Sequence, residues 1–139
     1  MILTEMVNLQ TKGQGDTLDI TPQVVRIVAG SRIKNGSVNV FITGSTAAVT
    51  TMEFEPNLVK DLKEVWEELV PEHEEYHHDN TWGDHNGYAH IRASLMGPSL
   101  VVPLKDGELM LGTWQQIVVI DFDNRARDRQ VLVQVMGEA

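Results

Sequence analysis

Leu100-Val101-Val102-Pro103-Leu104, the turn Lys105-Asp106-Gly107, Glu108-Leu109-Met110-Leu111, and then Gln115-Gln116-Ile117-Val118-Val119-Ile120-Asp121-Phe122 form the stretch on which the fold class turns. Short apolar runs bounded by turn residues read as strands, and Asp-Gly between two of them is a strong hairpin signal because both positions must accept positive φ. A further run at 131–135 adds another strand. Upstream, residues 2–11 and 17–20 are extended in style, and 37–43 alternates with Val38, Val40 and Ile42 on one side and Asn39 and Phe41 on the other.

Helical patterning is bunched toward the middle. Thr21-Pro22 reads as an N-cap followed by proline at the first helical position, with Val24, Val25, Ile27 and Val28 at helical spacing and Gly30 as the stop. Between Pro56 and Pro71, Leu58, Val59, Leu62, Val65, Trp66, Leu69 and Val70 make one apolar stripe, predicting a helix over 56–70 with Trp66 in the core. A last helix begins at Asn86, a plausible N-cap, and stops at Gly97, with Asn86, His90, Ala93 or Ser94, and Gly97 along one side. Many strands and only two or three helices favour an α+β domain, its antiparallel or mixed sheets curled into a β-sandwich, over a doubly wound parallel sheet. At 139 residues the chain makes a single domain over 1–139.

Composition narrows the function. The formal net charge of −9 argues against nucleic-acid binding, which draws its affinity from basic residues meeting phosphates. With no cysteine, a metal would have to be held by imidazole and oxygen ligands, and no disulfide or thiol chemistry is available. No run approaches the roughly 20 apolar residues that span a bilayer. The N-terminus carries no basic or long apolar leader, so a soluble, cytoplasmic protein is expected.

All five histidines lie between His73 and His90. His73 and His77 sit among Glu72, Glu74, Glu75 and Asp79 and read as part of a solvated connection. His78 and His90 flank a segment short enough to fold back and bring two imidazoles together, with Asp84, His85 or a neighbouring subunit supplying a third ligand. Three other stretches carry polar chemistry. Thr43-Gly44-Ser45-Thr46-Ala47-Ala48 follows a strand end and either holds an anion or is ordinary turn. Gly112-Thr113-Trp114-Gln115-Gln116 suits a subunit interface or a stacked ligand ring, unless Trp114 is simply packed. Arg125, Arg127 and Arg129 recur at every second residue, so on a strand they share a face, and they either grip phosphate or pair with the acidic segments.

Taken together, Tyr76-His77-His78, the run Asp84-His85-Asn86-Gly87-Tyr88-Ala89-His90-Ile91-Arg92-Ala93-Ser94-Leu95-Met96-Gly97, then Gly112-Thr113-Trp114-Gln115-Gln116-Ile117, the arginine ladder and Val133-Gln134-Val135-Met136-Gly137 resemble the YjbQ-like family, also called the secondary thiamine-phosphate synthase family. The resemblance spans essentially the whole chain. It implies an α+β fold with a β-sandwich core and a homotrimer whose subunit boundaries contain the polar site. It also implies a weak activity that joins a thiazole phosphate to a pyrimidine diphosphate with loss of pyrophosphate. By the same resemblance the polar site maps to His78, Asn86 or its neighbour His85, and His90, with Ser45 and Thr46 from the strand-end loop. The chain departs from the pattern at Gly44, where the resemblance leads one to expect a histidine.

A pyrimidine diphosphate can lose pyrophosphate to give a stabilised cation, which the thiazole nitrogen attacks. Such a site mainly has to hold two partners together and neutralise the departing anion. On this reading His78 and His90, with His85, hold a divalent metal (zinc or magnesium) or donate to phosphate. Arg127 and Arg129 grip phosphate, while Trp114 or Tyr88 offers a face to a heterocycle. The same groups would equip a metal-assisted phosphoesterase, or a trimeric binding protein for a phosphorylated small molecule that turns nothing over.

Overall fold

The chain passes six times from one sheet to the other, and the three shortest crossings gather at one end of the molecule. The computed structural model describes residues 1–139. In chain order the elements are β1 (Ile2–Thr11), β2 (Asp16–Asp19), α1 (Thr21–Ser31), β3 (Asn35–Ile42), β4 (Ala47–Met52), α2 (Pro56–Leu69), α3 (Asp79–Trp82), α4 (Gly87–Met96), β5 (Ser99–Lys105), β6 (Glu108–Leu109), β7 (Gln116–Asp121) and β8 (Arg127–Glu138). A five-stranded sheet ordered β1-β8-β3-β5-β6 faces a three-stranded sheet ordered β2-β7-β4. Every pairing is antiparallel, so the expected α+β sandwich holds and no mixed sheet forms.

These three run from β1 to β2 through Gly13-Gln14-Gly15, from β3 to β4 through residues 43–46, and from β7 to β8 through residues 122–126. The first is the tightest. Gly13, Gln14 and Gly15 all have positive φ, and a Cβ on Gly13 would lie 2.3 Å from the Arg125 carbonyl oxygen, so only glycine lets the first crossing lie against the third. Backbone bonds from Gln14 N–H to the Asp123 carbonyl (2.7 Å) and from Gly15 N–H to the Asp121 carbonyl (2.8 Å) tie the two together.

Between the sheets, Val38, Val40, Val131, Val133 and Val135 pack with Val49, Ile117 and Val119, and α1 closes the layer with Val24, Ile27 and Val28. The far side of the three-stranded sheet buries Ala48, Val118, Ile120 and Phe122 against Tyr88, Ala89 and Ala93 of α4. β7 is therefore covered on both faces, which is why its sequence is a continuous apolar run rather than an alternation. The hairpin at Asp106-Gly107 is as expected, both residues having positive φ and Lys105 pairing with Glu108.

Several sequence expectations need correction. β4 lies where only a strand-end loop was read, because Ala47, Ala48 and Val49 are buried on both sides and lack alternation. β8 runs from Arg127 to Glu138, well beyond 131–135, so the polar ends of the strand are carried by pairing with β1 and β3 rather than by apolar pattern. Thr21 does not cap α1; its hydroxyl accepts the Ile117 N–H across the layer (2.8 Å), and the helix passes Gly30 to end at Arg32, which takes the left-handed conformation. A one-turn helix, α3, brings the helices to four.

The strongest helical pattern is the most shallowly docked. α2 is capped by Glu55, whose carboxylate accepts from the Asn57 and Leu58 amides, yet none of its residues is fully buried and Val65 and Leu69 are exposed. Trp66 reaches the second core edge-on to Phe122, with 5.3 Å between ring centroids. Ile117→Ala, at the centre of the sandwich, is expected to cost about 2–5 kcal/mol, whereas Leu62→Ala on half-buried α2 costs about 1 kcal/mol. Denaturant titration of the two variants measures the difference, and equal losses would show α2 to be docked as deeply as the sandwich core.

Candidate functional site

At the crossover end the sandwich closes over charge instead of apolar side chains. Asp121 and Asp123 are both 0% exposed. Burying two carboxylates demands cations and donors, and β8 brings both arginines to the place where they are needed. Arg129 grips Asp121 with two bonds, Nε to Oδ2 at 2.7 Å and Nη2 to Oδ1 at 2.8 Å. Arg127 gives its Nε to Asp123 at 2.8 Å. Thr11 Oγ1 donates to Asp121 (2.5 Å), while Thr46 Oγ1 accepts from Arg129 Nη2 (2.6 Å) and donates to Asp123 (3.0 Å). Burial alone would raise the Asp123 pKa, but hydrogen bonds from the Asn124 amide, Asn86, Thr46 and Arg127 bring it below the ordinary value.

The arginine question left open by the sequence is thus settled in part: Arg127 and Arg129 make ion pairs, with neighbouring aspartates rather than with the acidic middle of the chain, and Arg125 lies outside the strand. Neither guanidinium is used up. Arg127 commits only Nε, and Arg129 Nη1 bonds no acceptor and points at Gly44, where an added Cβ would lie 2.7 Å from it.

Above this floor is a polar cleft of about 360 Å³. It gathers Ser45 and Thr46 from the second crossing, Arg127 and Arg129, and His78, Asn86 and His90 from the ends of α3 and α4. The two imidazoles face each other, ring centroids 4.3 Å apart and planes inclined by 41°. His90 is held below its ordinary pKa by burial and by the proximity of His78, with Asp123 and Asp84 opposing. His78 Nδ1 is buried with no protein partner. Asn86 occupies the N-cap position of α4 but does not cap it; its Nδ2 donates to Asp123 (3.3 Å), and its Oδ1 is buried without a donor.

Other residues singled out from the sequence lie elsewhere. His85, in the left-handed conformation, faces a wider solvated cleft with exposed His73 and His77, so it does not join His78 and His90. Within the chain, no group of three or more His, Asp or Glu side chains is arranged to hold a metal ion. Trp114 is 73% exposed on the β6–β7 loop and does not line the polar cleft, and Tyr88 of α4 is buried in the second core with its hydroxyl donating to Glu72 (3.3 Å). The sequence reading missed Thr11, Asp121, Asp123 and Trp82. Asp121-Phe122-Asp123 did carry a signal: acids ending a fully apolar strand must be paired, and alternate arginines follow within a few residues.

Fold and floor define a small antiparallel sandwich whose polar cleft stands on a buried Asp/Arg network at the sheet crossovers. The chain belongs to the YjbQ family, described as UPF0047 protein YjbQ-like, which matches residues 5–138. A UPF0047 protein of Archaeoglobus fulgidus is 39% identical over 94% of this chain and 98% of its own, and one of Methanothermobacter thermautotrophicus is 36% identical over 99% and 94%. Among solved structures, a YbjQ-like protein of unknown function from Sulfolobus solfataricus P2 superposes with a TM-score of 0.90 at 31% identity, covering 99% of this chain and 100% of that one. A hypothetical protein from Aeropyrum pernix K1 superposes with 0.91 at 32% identity, covering 98% and 99%. No helix is long and apolar enough to cross a membrane.

Because burial lowers the His90 pKa, the folded state binds that proton less tightly than the unfolded chain. The stabilising contribution of neutral His90 is therefore complete above the unfolded value of about 6.5 and is lost as pH falls from there through the lower folded pKa. Thermal melts of wild type and His90→Gln between pH 8 and pH 5 (roughly the His range) should diverge, wild type losing more stability on acidification. Parallel melting curves would show that His90 titrates as it does in the unfolded chain.

Proposed function

We propose that the cleft is a transferase site for a phosphorylated heterocycle, joining a thiazole phosphate to a pyrimidine diphosphate with release of pyrophosphate. The observation that carries this reading is the unspent hydrogen-bonding capacity of the floor. Asp121 and Asp123 hold Arg127 and Arg129 by Nε and Nη2, and the remaining guanidinium N–H groups are left for an incoming anion beside Ser45. A diphosphate seated there has its departing charge neutralised by groups already in place, which lowers the barrier to breaking the carbon–oxygen bond. The electron pair of that bond leaves with pyrophosphate, and the thiazole nitrogen supplies the pair for the new carbon–nitrogen bond. No base is required. His78 and His90 then serve as donors to the phosphate oxygens or as ligands.

A divalent ion, zinc or magnesium, belongs to the same proposal. The unpartnered Nδ1 of His78 and the facing imidazole of His90 fit two positions of such a site, with phosphate oxygen and water left to complete it, since His85 stands apart. Bound there, the ion would add to the neutralisation of the leaving group. Product formation from the two precursors, followed by mass spectrometry, tests the activity. His90→Ala and Arg127→Ala are expected to lose at least about tenfold in kcat/KM, His90→Ala retaining the wild-type fold by circular dichroism and Arg127→Ala melting earlier because Asp123 stays buried without its partner. Phosphate release from simple monoesters without coupling would replace the reading with a phosphoesterase, and pyrophosphate binding without turnover would replace it with a binding protein.

The proposed assembly is a homotrimer in a cytoplasmic setting. Its support is the outward face of the five-stranded sheet, where the rows Ile2-Met136-Ser37-Pro103, Thr4-Gln134-Asn39-Val101 and Met6-Leu132-Phe41-Ser99 hold no charged residue in a chain of net charge −9. The number of subunits comes from the family resemblance, and exposed Trp114 is a further contact available to a neighbour. Light scattering at micromolar concentration is expected to return three times the 15.6 kDa chain mass, and a monomer mass would sink the assembly.

A further inference from the structure

We infer that the recess beneath α2 is a second ligand site, taking a small neutral molecule with an apolar ring or branched body and a single carbonyl-type acceptor. It shares no residue with the polar cleft and does not depend on the activity proposed there. Side chains alternate along a strand, so Asp121 faces the larger sheet and its arginine partner, while Ile120 and Phe122 face α2 and line the recess. Between these two and Val59, Leu62 and Trp66 of α2 lies a space of about 110 Å³. A dry cavity of roughly 150 Å³ accepts benzene, so this one takes a group of about five or six heavy atoms.

The way α2 is fixed at its two ends keeps the recess open. At the start, Glu55 caps the helix and the neighbouring Phe54 amide donates to Gln116 Oε1 on β7 (2.8 Å). At the other end Arg92 of α4, 7% exposed, donates Nε (3.0 Å) and Nη2 (2.7 Å) to the Val70 carbonyl, and Nη2 also reaches Glu67 (3.1 Å). An α-helix is a stiff rod over this length, so two bonded ends set the height of its middle. The clearest apolar stripe of the chain, none of whose helical residues is fully buried, therefore stands off the surface its pattern would cover.

A second, independent observation sets the chemistry of the ligand. Trp66 Nε1 is buried and has no acceptor in the protein, and its side chain lines the recess. An indole N–H can only donate, and burying it unpaired is costly, so the molecule that completes it carries an acceptor. Neighbouring donors are engaged already: the Tyr88 hydroxyl on Glu72, the Thr17 hydroxyl on the Gly15 carbonyl, and Arg92 as described. Charge at the recess balances, Lys63 and Arg92 against Glu67 and Glu72, so nothing there favours an ion. A ketone, amide or lactone carbonyl on a small apolar body meets these conditions together.

The test is titration of the intact protein with cyclopentanone, its hydrocarbon counterpart methylcyclopentane, and the anion cyclobutanecarboxylate, followed by nitrogen-edited nuclear magnetic resonance. Trp66→Phe assigns the Trp66 indole N–H among those of the three tryptophans. Cyclopentanone should shift that resonance saturably, together with the amides of Ile120 and Phe122. Methylcyclopentane should bind at least about tenfold more weakly, and the carboxylate more weakly than the ketone. Trp66→Phe, read on the amides, should weaken the ketone by about tenfold and leave the hydrocarbon unchanged, whereas Val59→Phe, which fills the recess, should weaken both. No saturable shift at Trp66, or shifts confined to Gly44, Ser45 and Thr46 at the polar cleft, would overturn the site. Equal binding of ketone and hydrocarbon, or tighter binding of the carboxylate, would overturn the assignment of a neutral acceptor ligand.

Discussion

The pairing of Asp121 with Arg129, both out of water, is the constraint around which this end of the molecule is organised. Removing either partner would leave the other charge buried and uncompensated, a far greater penalty than the pair's own net contribution. Its geometry also reaches three places at once. Asp121 ends β7, Arg129 lies in β8, and the pair is completed by Thr11 at the end of β1 and Thr46 at the start of β4. One network thus binds together the three shortest crossings between the sheets, and it does so through directional bonds that an apolar core could not supply.

That arrangement explains why the polar cleft lies at this end of the fold. An antiparallel sandwich has little freedom within its sheets but must open its backbone where strands cross between them, so polar groups and loops concentrate at the crossings. Here the loops are short and tied to one another by the Gly13 contact with Arg125 and by backbone bonds to residues 121 and 123. The floor of the cleft is accordingly rigid. Its rim, formed by α3 and the start of α4, is tied down by the Asp79 carboxylate, by the bond from Asn124 Nδ2 to the Asp84 carbonyl and by Tyr88 and Ala89 in the second core, and it carries His78, Asn86 and His90.

The distribution of charge follows the same logic. Two aspartates balance two arginines below the cleft, so its floor is close to neutral in an otherwise acidic chain. Elsewhere the negative charge lies on α2 and the connection after it, exposed to water. The charge-poor face of the five-stranded sheet stands apart from both.

Local chemistry was readable in the chain itself. The Asp106-Gly107 hairpin, the helices begun by Pro22 and by Pro56, and the sandwich of antiparallel strands follow from φ preferences and periodicity, which act over a few residues and need no knowledge of the rest. The approach of His78 to His90 was also legible, as crowding, and the shared face of Arg127 and Arg129 as alternation, while the place of Ser45 and Thr46 at the same cleft came from the family resemblance. What tertiary structure alone decided was partnership. β4 is a strand because β7 lies beside it, although its own residues lack the alternation that marks one. The arginines turn inward because Asp121 and Asp123 arrive from another strand. His85, adjacent in sequence to Asn86, faces away because its positive φ reverses the chain, and Trp82 comes to the cleft because α3 folds onto Gly87. Each of these outcomes depends on contacts between residues far apart along the chain, and the free energy of such contacts is set by burial and geometry that no local pattern encodes.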